Sequence, residues 1–299
     1  MENWIYFVFI SQGIWTFTSL IDKIVISKGY IKNPLVYIVL NGIMNILLIF
    51  LLPFVGFEPI RAADLLIGLL GGIVFSAGVS IYYKAVRYDE ISRIVMLGQL
   101  GPVFVLVLSY LFLNEVLTAN SFIGFLFLLI AGFAVSYRKV NGSFKISKSL
   151  GLMLVSIFLT SISLIIAKHI YNITSFWSAF LWLRVTGFTA LLVLLLPSVR
   201  RDATRTFKAM NPRIKGLMIF KMVIDFSAFV FGGYALMKGP TSLVAALSSS
   251  LLPLFVFILA LGVSIYFPSI IKEELDKKSI LTKAAAVALV IIGIIFINI

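Results

Sequence analysis

Cysteine is absent from the 299 residues, which excludes disulfides and thiol chemistry. Histidine occurs once, so a clustered metal site on imidazole cannot be built, and no cofactor is expected. Acidic residues are scarce, 12 Asp and Glu against 25 Lys and Arg. Charged residues of both signs make up 12% of the chain, where soluble domains carry about 25%. That is too little to coat a soluble fold of this length. Strict apolar–polar alternation is also missing, which argues against a transmembrane barrel. No basic stretch or A-x-A-like site precedes the end of the first apolar block, and Glu2 is acidic. A retained first helix is expected rather than a cleaved signal peptide.

What is present is apolar: 61% of the residues, gathered in blocks about as long as a helix needs to cross roughly 30 Å of hydrocarbon. Ten spans are predicted, at residues 4–21, 34–54, 65–86, 91–113, 118–137, 150–168, 175–197, 214–237, 240–266 and 281–299. The longer connections, Arg138 to Ser149 and Arg200 to Arg213, are polar. The net charge of +13 does not indicate nucleic-acid binding, because most Lys and Arg fall between the blocks, where loops meet water and anionic headgroups.

The chain repeats itself. Phe75-Ser76-Ala77-Gly78-Val79 matches Phe226-Ser227-Ala228-Phe229-Val230 at an offset of 151, the difference between positions 226 and 75. The same offset pairs Tyr83 with Tyr234, Arg87 with Lys238 and Pro102 with Pro253. Earlier in each half, Lys23 pairs with Lys168 and Pro53 with Pro197. The expected fold is therefore an all-α integral membrane protein of ten transmembrane helices, residues 1–140 forming one five-helix repeat and 148–299 the other. Five is odd, so the second copy enters the membrane inverted. Inverted repeats are a transporter architecture, with the ligand site near the midplane between the halves.

The stretch from Tyr83 to Pro102 resembles the third-to-fourth helix passage of the drug/metabolite transporter superfamily, EamA-like branch, and Tyr234 to Pro253 resembles its counterpart in the second half. Leu113-Asn114-Glu115, followed by Ile123-Gly124, is similar to the family's Glu-containing link into helix five. The resemblance implies a 5+5 transporter of small metabolites working by alternating access, with spans five and ten peripheral. The second half departs from the pattern: Pro253 lies 20 residues before Glu273, against 13 from Pro102 to Glu115. Glu115 reads as structural, near a helix junction.

Apart from the resemblance, spans five and ten are almost wholly apolar inside, whereas most others carry polar residues at helical spacing. Gln12, Trp15 and Ser19 share a face of span one, Asn41 and Asn45 of span two, and Ser156, Thr160 and Ser163 of span six; Ser248, Ser249 and Ser250 precede Pro253, and Gln99 precedes Pro102. Such residues line a cavity or hydrogen-bond helices together. Arg184, Lys221 and Asp225 lie deep inside blocks, where a charge costs roughly 2.5–3.5 kcal/mol and normally faces a wet cavity or a partner. Lys221 and Asp225 are i, i+4, and their face continues through Ala228 and Gly232, small enough to leave room for a ligand. The candidate substrate-binding set is Arg184, Lys221, Asp225, Gln12, Trp15, Asn41, Asn45, Gln99 and Ser249, with net charge +1 suited to a carboxylate, a phosphate or a zwitterion. The alternative is a self-satisfied Lys221–Asp225 pair locking span eight to Arg184 or Asn41. Pro102 and Pro253 are candidate hinges or ligand-facing kinks.

Twenty of the 25 Lys and Arg fall in or beside the loops after spans one, three, five, seven and nine. The positive-inside rule puts those loops in the cytoplasm and both termini outside the cell membrane, a departure from many members of this superfamily. A flippase for a lipid-linked or amphiphilic substrate and a non-transporting sensor or scaffold are the competing functions. An enzyme is not expected, because acids, His and Cys do not cluster at an interface. The partners expected are a small-molecule substrate and the bilayer, and the apolar faces of spans five and ten would suit a homodimer.

Overall fold

The computed structural model describes residues 3–27, 33, 35–36, 39–40, 43, 54–56, 58–86, 88, 91–136, 148–266 and 277–299. Their regular structure is helical. In chain order the α-helices are α1 (Asn3–Ser27), α2 (Ala62–Val86), α3 (Ile91–Gly98), α4 (Gly101–Leu113), α5 (Ala119–Ser136), α6 (Lys148–Ile173), α7 (Phe176–Thr186), α8 (Pro197–Ala209), α9 (Pro212–Lys238), α10 (Thr241–Tyr266) and α11 (Lys277–Asn298). A 3₁₀ helix, Gly187–Leu195, joins α7 to α8.

Seven helical stretches among the described residues are long and apolar enough to cross a membrane, one of them the Ile94–Leu113 stretch that α3 and α4 share. The differences from the predicted ten have particular causes. Most of the second predicted span lies outside the described residues. The seventh divides into α7 and the 3₁₀ helix. The eighth, α9, is 27 residues long but carries Lys215, Lys221 and Asp225. Large apolar side chains at the surface, such as Leu66, Leu111, Phe112 and Ile219, are more than half exposed, as lipid-facing residues are.

One sequence expectation needs correction. The fourth span is one apolar stretch, Ile94–Leu113, whose helix is interrupted: α3 ends at Gly98 and α4 starts at Gly101, with Gln99 and Leu100 donating backwards to Met96 and Leu97 in 3₁₀ turns. Pro102 is therefore the second residue of α4 rather than an interior kink, and its missing N–H forfeits no helical bond there. Pro253 does lie inside its helix, α10. The polar connection from Arg200 to Arg213 carries most of a helix, α8.

The helices pack across the two halves of the chain. α1 lies against α9 and α10, α2 against α6, α4 against α6 and α10, and α5 against α10 and α11. Trp4, Ile5, Phe125, Leu128, Phe180, Leu243 and Leu247 fill the largest cluster. Part of the polar face of span six joins helices: Ser156 Oγ donates to the Gly78 carbonyl of α2 at 2.8 Å, and Thr160 Oγ1 returns to its own helix at Ser156.

At the α5–α11 crossing, glycine faces glycine. A Cβ on Gly124 would sit 2.7 Å from the Gly293 carbonyl oxygen, and one on Gly293 would sit 3.0 Å from the Gly124 oxygen. Small residues allow backbones this close in a bilayer, where packing must replace the hydrophobic drive. Gly124→Leu is expected to force the helices apart and destabilise the fold by about 2 kcal/mol or more, read as a lower melting temperature of the detergent-purified protein. An unchanged melting temperature would mean that the crossing does not hold the pair.

Candidate functional site

Three helices bring the buried polar residues together. α9 presents Lys221 and Asp225, each 5% exposed and joined one turn apart by a hydrogen-bonded ion pair. α1 adds Asp22, whose Oδ1 stands 3.5 Å from Lys221 Nζ. Lys221 thus lies between two carboxylates. Asp22 lies one residue past the predicted first span, 4–21, while α1 continues to Ser27. The predicted partners of the pair were Arg184 or Asn41; the structure supplies Asp22. Asn41 and Asn45 lie outside the described residues.

One turn along α9 from Asp225, Phe229 holds a different arrangement. The Arg184 guanidinium of α7 lies over the Phe229 ring at 4.2 Å and within 5.2 Å of the Phe180 centroid. Trp15 of α1 meets Phe229 edge-on, with centroids 4.8 Å apart. Arg184 Nε is buried with no hydrogen-bond partner, and no carboxylate within ion-pair distance of Arg184 occurs among the described residues. Aromatic faces attract a cation but leave its in-plane N–H groups free to donate. Gln12 lies one turn before Trp15 and is half-buried.

Other predicted residues are engaged elsewhere. Gln99 Nε2 donates to Ser136 Oγ of α5 at 2.9 Å, and its carbonyl end packs on Gly132. Ser249 Oγ donates to the Ala246 carbonyl within α10. Ala228 and Gly232 do not leave room beside α9. They admit Ser11 of α1, which donates to the Ala228 carbonyl at 2.9 Å and would lie 3.1 Å from a Cβ on Gly232.

Near the Lys238 end of α9, a cavity of about 830 Å³ is lined by residues including Trp4, Phe7, Glu115, Lys168, Tyr234 and Lys238. Stacked rings lead from it toward Arg184. Phe7 stacks on Tyr234 at 5.4 Å, Tyr234 on Phe176 at 3.5 Å, and Phe176 on Phe180 at 5.9 Å. Phe176, Phe180 and Arg184 recur every fourth residue, so one face of α7 carries the aromatic path to the cation. The start of α7 is held by the segment before α2. Glu58 accepts from Thr174 Oγ1 at 2.8 Å and from the Ser175 N–H at 3.3 Å. The Thr174 hydroxyl first, then the Ser175 backbone, keeps the Glu58 carboxyl below its ordinary range.

The cavity's charged pair organises the junction of α9 and α10. Lys168 Nζ donates to the carbonyls of Leu236, Met237 and Gly239 at 2.8, 3.1 and 2.9 Å, satisfying the end of α9. Glu115 accepts the Thr241 N–H and hydroxyl, both at 2.8 Å, at the start of α10. A cation thus meets a helix C-terminus and an anion an N-terminus, each favoured by the helix dipole, with 4.0 Å between them. Asn114, with φ 54°, ends α4 in a left-handed conformation directly before Glu115. The reading of Glu115 as structural agrees with this geometry. His169, next to Lys168, faces Asp64 at 3.1 Å.

No curated protein matches this chain. A solved structure, described only as the crystal structure of a protein, aligns over 100% of this chain and 99% of its own with a TM-score of 0.65 and 14% identity, a likeness of fold alone. Residues 2–137 match the EamA-like transporter family. With its apolar helices the molecule is a multi-pass membrane protein, and the family matched over residues 2–137 is one of the drug/metabolite transporter superfamily.

Proposed function

We propose that this protein is a secondary transporter that moves a small anionic or zwitterionic metabolite, such as an amino acid or a phosphorylated compound, across the cell membrane by alternating access. The observation that carries the reading is Arg184. It is a cation deep in the fold, held against Phe229 and Phe180, and it faces no carboxylate among the described residues. Asp22 sharpens the charge argument. Lys221 with Asp22 and Asp225 sums to −1, so Lys221 is already compensated and Arg184 is the group left to meet an anion. The cavity stands at one end of the stacked rings and that group at the other, with Phe176 and Phe180 packed between them.

The ten-span, 5+5 inverted architecture belongs to the same proposal. Exchanging repeat partners turns the α1–α9 pair into the α6–α2 pair, and α1–α10 into α6–α4; all four packings occur. The charge bias places the loop bearing α8 in the cytoplasm and the termini outside.

The test is a thermal-shift series on purified protein with carboxylates, phosphate esters and organic cations. Anions are expected to stabilise the wild type, and Arg184→Gln to weaken that binding about thirtyfold or more without unfolding the unliganded protein. Stabilisation by cations alone, or anion binding undiminished in Arg184→Gln, refutes the proposal.

A further inference from the structure

α8 carries its cations in a stripe. Pro197, Arg200, Arg201, Thr204, Arg205 and Lys208 recur at three- and four-residue steps and line a shallow groove of about 400 Å³ along one face. The stripe is about 16 Å long at the rise of an α-helix. All four cations are exposed. The helix's only acid, Asp202, lies off this face and accepts a hydrogen bond from Asn33 Nδ2 at 2.8 Å.

The rest of α8 fixes how it lies. Val199 is buried, and Ala203, with Met210 just past the helix end, joins a cluster of Ile21, Val25, Val36, Leu40 and Met218, so one side of the helix faces the fold. Large apolar side chains flank the cations: Leu195 is 78% exposed, Leu196 51%, and Phe207, with the Lys215 ammonium 5.3 Å from its ring centroid, 54%. α8 connects the α7 segment to α9, which places it at a membrane boundary. An arginine-rich face beside exposed Leu and Phe is the pattern of a helix that lies in the interfacial plane, with rings and methyls toward acyl chains and guanidinium groups among headgroups. Guanidinium pairs with phosphate through two parallel hydrogen bonds, and three of the four cations are arginine.

We propose that the α8 face is a binding surface for the phosphodiester headgroups of anionic phospholipids, with Arg200, Arg201, Arg205 and Lys208 as the contacts. The surface anchors the segment below Arg184 to one leaflet. The proposal stands on α8 alone and holds whatever the protein carries.

The test titrates short-chain phosphatidylglycerol, phosphatidylcholine and inorganic phosphate into the detergent-purified full chain and follows the melting temperature. Wild type is expected to bind phosphatidylglycerol well above the other two. Neutralising Arg200→Gln, Arg201→Gln, Arg205→Gln and Lys208→Gln together is expected to remove that preference, at about fivefold in affinity per cation. A charge-conserving variant, Arg200→Lys with Arg201→Lys and Arg205→Lys, is expected to fall between the wild type and the Gln variant, since lysine keeps the charge and loses the two-bond contact. An unchanged lipid preference in the Gln variant overturns the proposal. So does inorganic phosphate that matches phosphatidylglycerol, since the face would then select a soluble anion, and so does loss of preference in the Lys variant to the level of the Gln variant.

Discussion

Lys168→Met is expected to cost the fold about 3–5 kcal/mol, because it removes one partner from a buried charged arrangement and strands the others. Three carbonyls at the end of α9 lose their shared donor, and Glu115 loses its nearest cation. Methionine fills much of the same volume, so the loss reports polar satisfaction rather than a cavity. Thermal melting of the purified protein should fall by about 2 °C or more for each kcal/mol. Glu115→Gln should be milder, since a neutral amide oxygen still accepts from Thr241. If the two variants melt alike, the ion pair rather than the carbonyls carries the stabilisation. If neither melts lower than wild type, the junction is not held by this pair.

The second large effect is expected at Lys221. Lys221→Met leaves Asp22 and Asp225 near each other with no cation between them, and both present a buried oxygen that no hydrogen bond satisfies. A loss of about 3–5 kcal/mol is expected. Adding Asp225→Leu should recover much of it, because a pair of apolar side chains removes the need for a counter-charge. The single and double variants form a cycle whose coupling energy measures the pair. Additive losses in that cycle would exclude the pair as the source. Arg184→Gln should show the opposite pattern, with ligand binding lost and melting little changed. The two buried cations are thereby told apart.

The sequence shows the membrane class because bilayer thickness sets the length of an apolar helix, and that signal survives in Ala62–Val86 and Ser149–Ile173 with little distortion. Ionisable residues inside apolar blocks were equally plain: Arg184, Lys221 and Asp225 stand out against their neighbours, and Lys221 and Asp225 are buried and Arg184 partly so. Their division into two groups was not legible. It depends on Asp22, which looks like a helix-end residue until α1 is seen to run past it, and on Phe229 and Phe180, which read as ordinary apolar positions until Arg184 lies across them. Gln99 and Ser156 illustrate the other difficulty. A polar residue in a span hydrogen-bonds to another helix as readily as it faces a ligand, and spacing alone does not separate the two. The break before Pro102 was hidden because proline suits the first turn of a new helix as well as the kink of an old one.

The 3₁₀ helix that follows Arg184 has a mechanical consequence. Nine residues at about 2.0 Å each extend roughly 18 Å, where α geometry would extend about 13.5 Å. The segment therefore stores close to one helical turn of slack in drawn-out form. Rewinding it would shorten the tether between Arg184 and α8 by about 4.5 Å and swing whatever lies above it about the helix axis. A stretch this long in the looser-bonded form is uncommon. With α8 fixed at the surface, any such change of length would be delivered to the arginine.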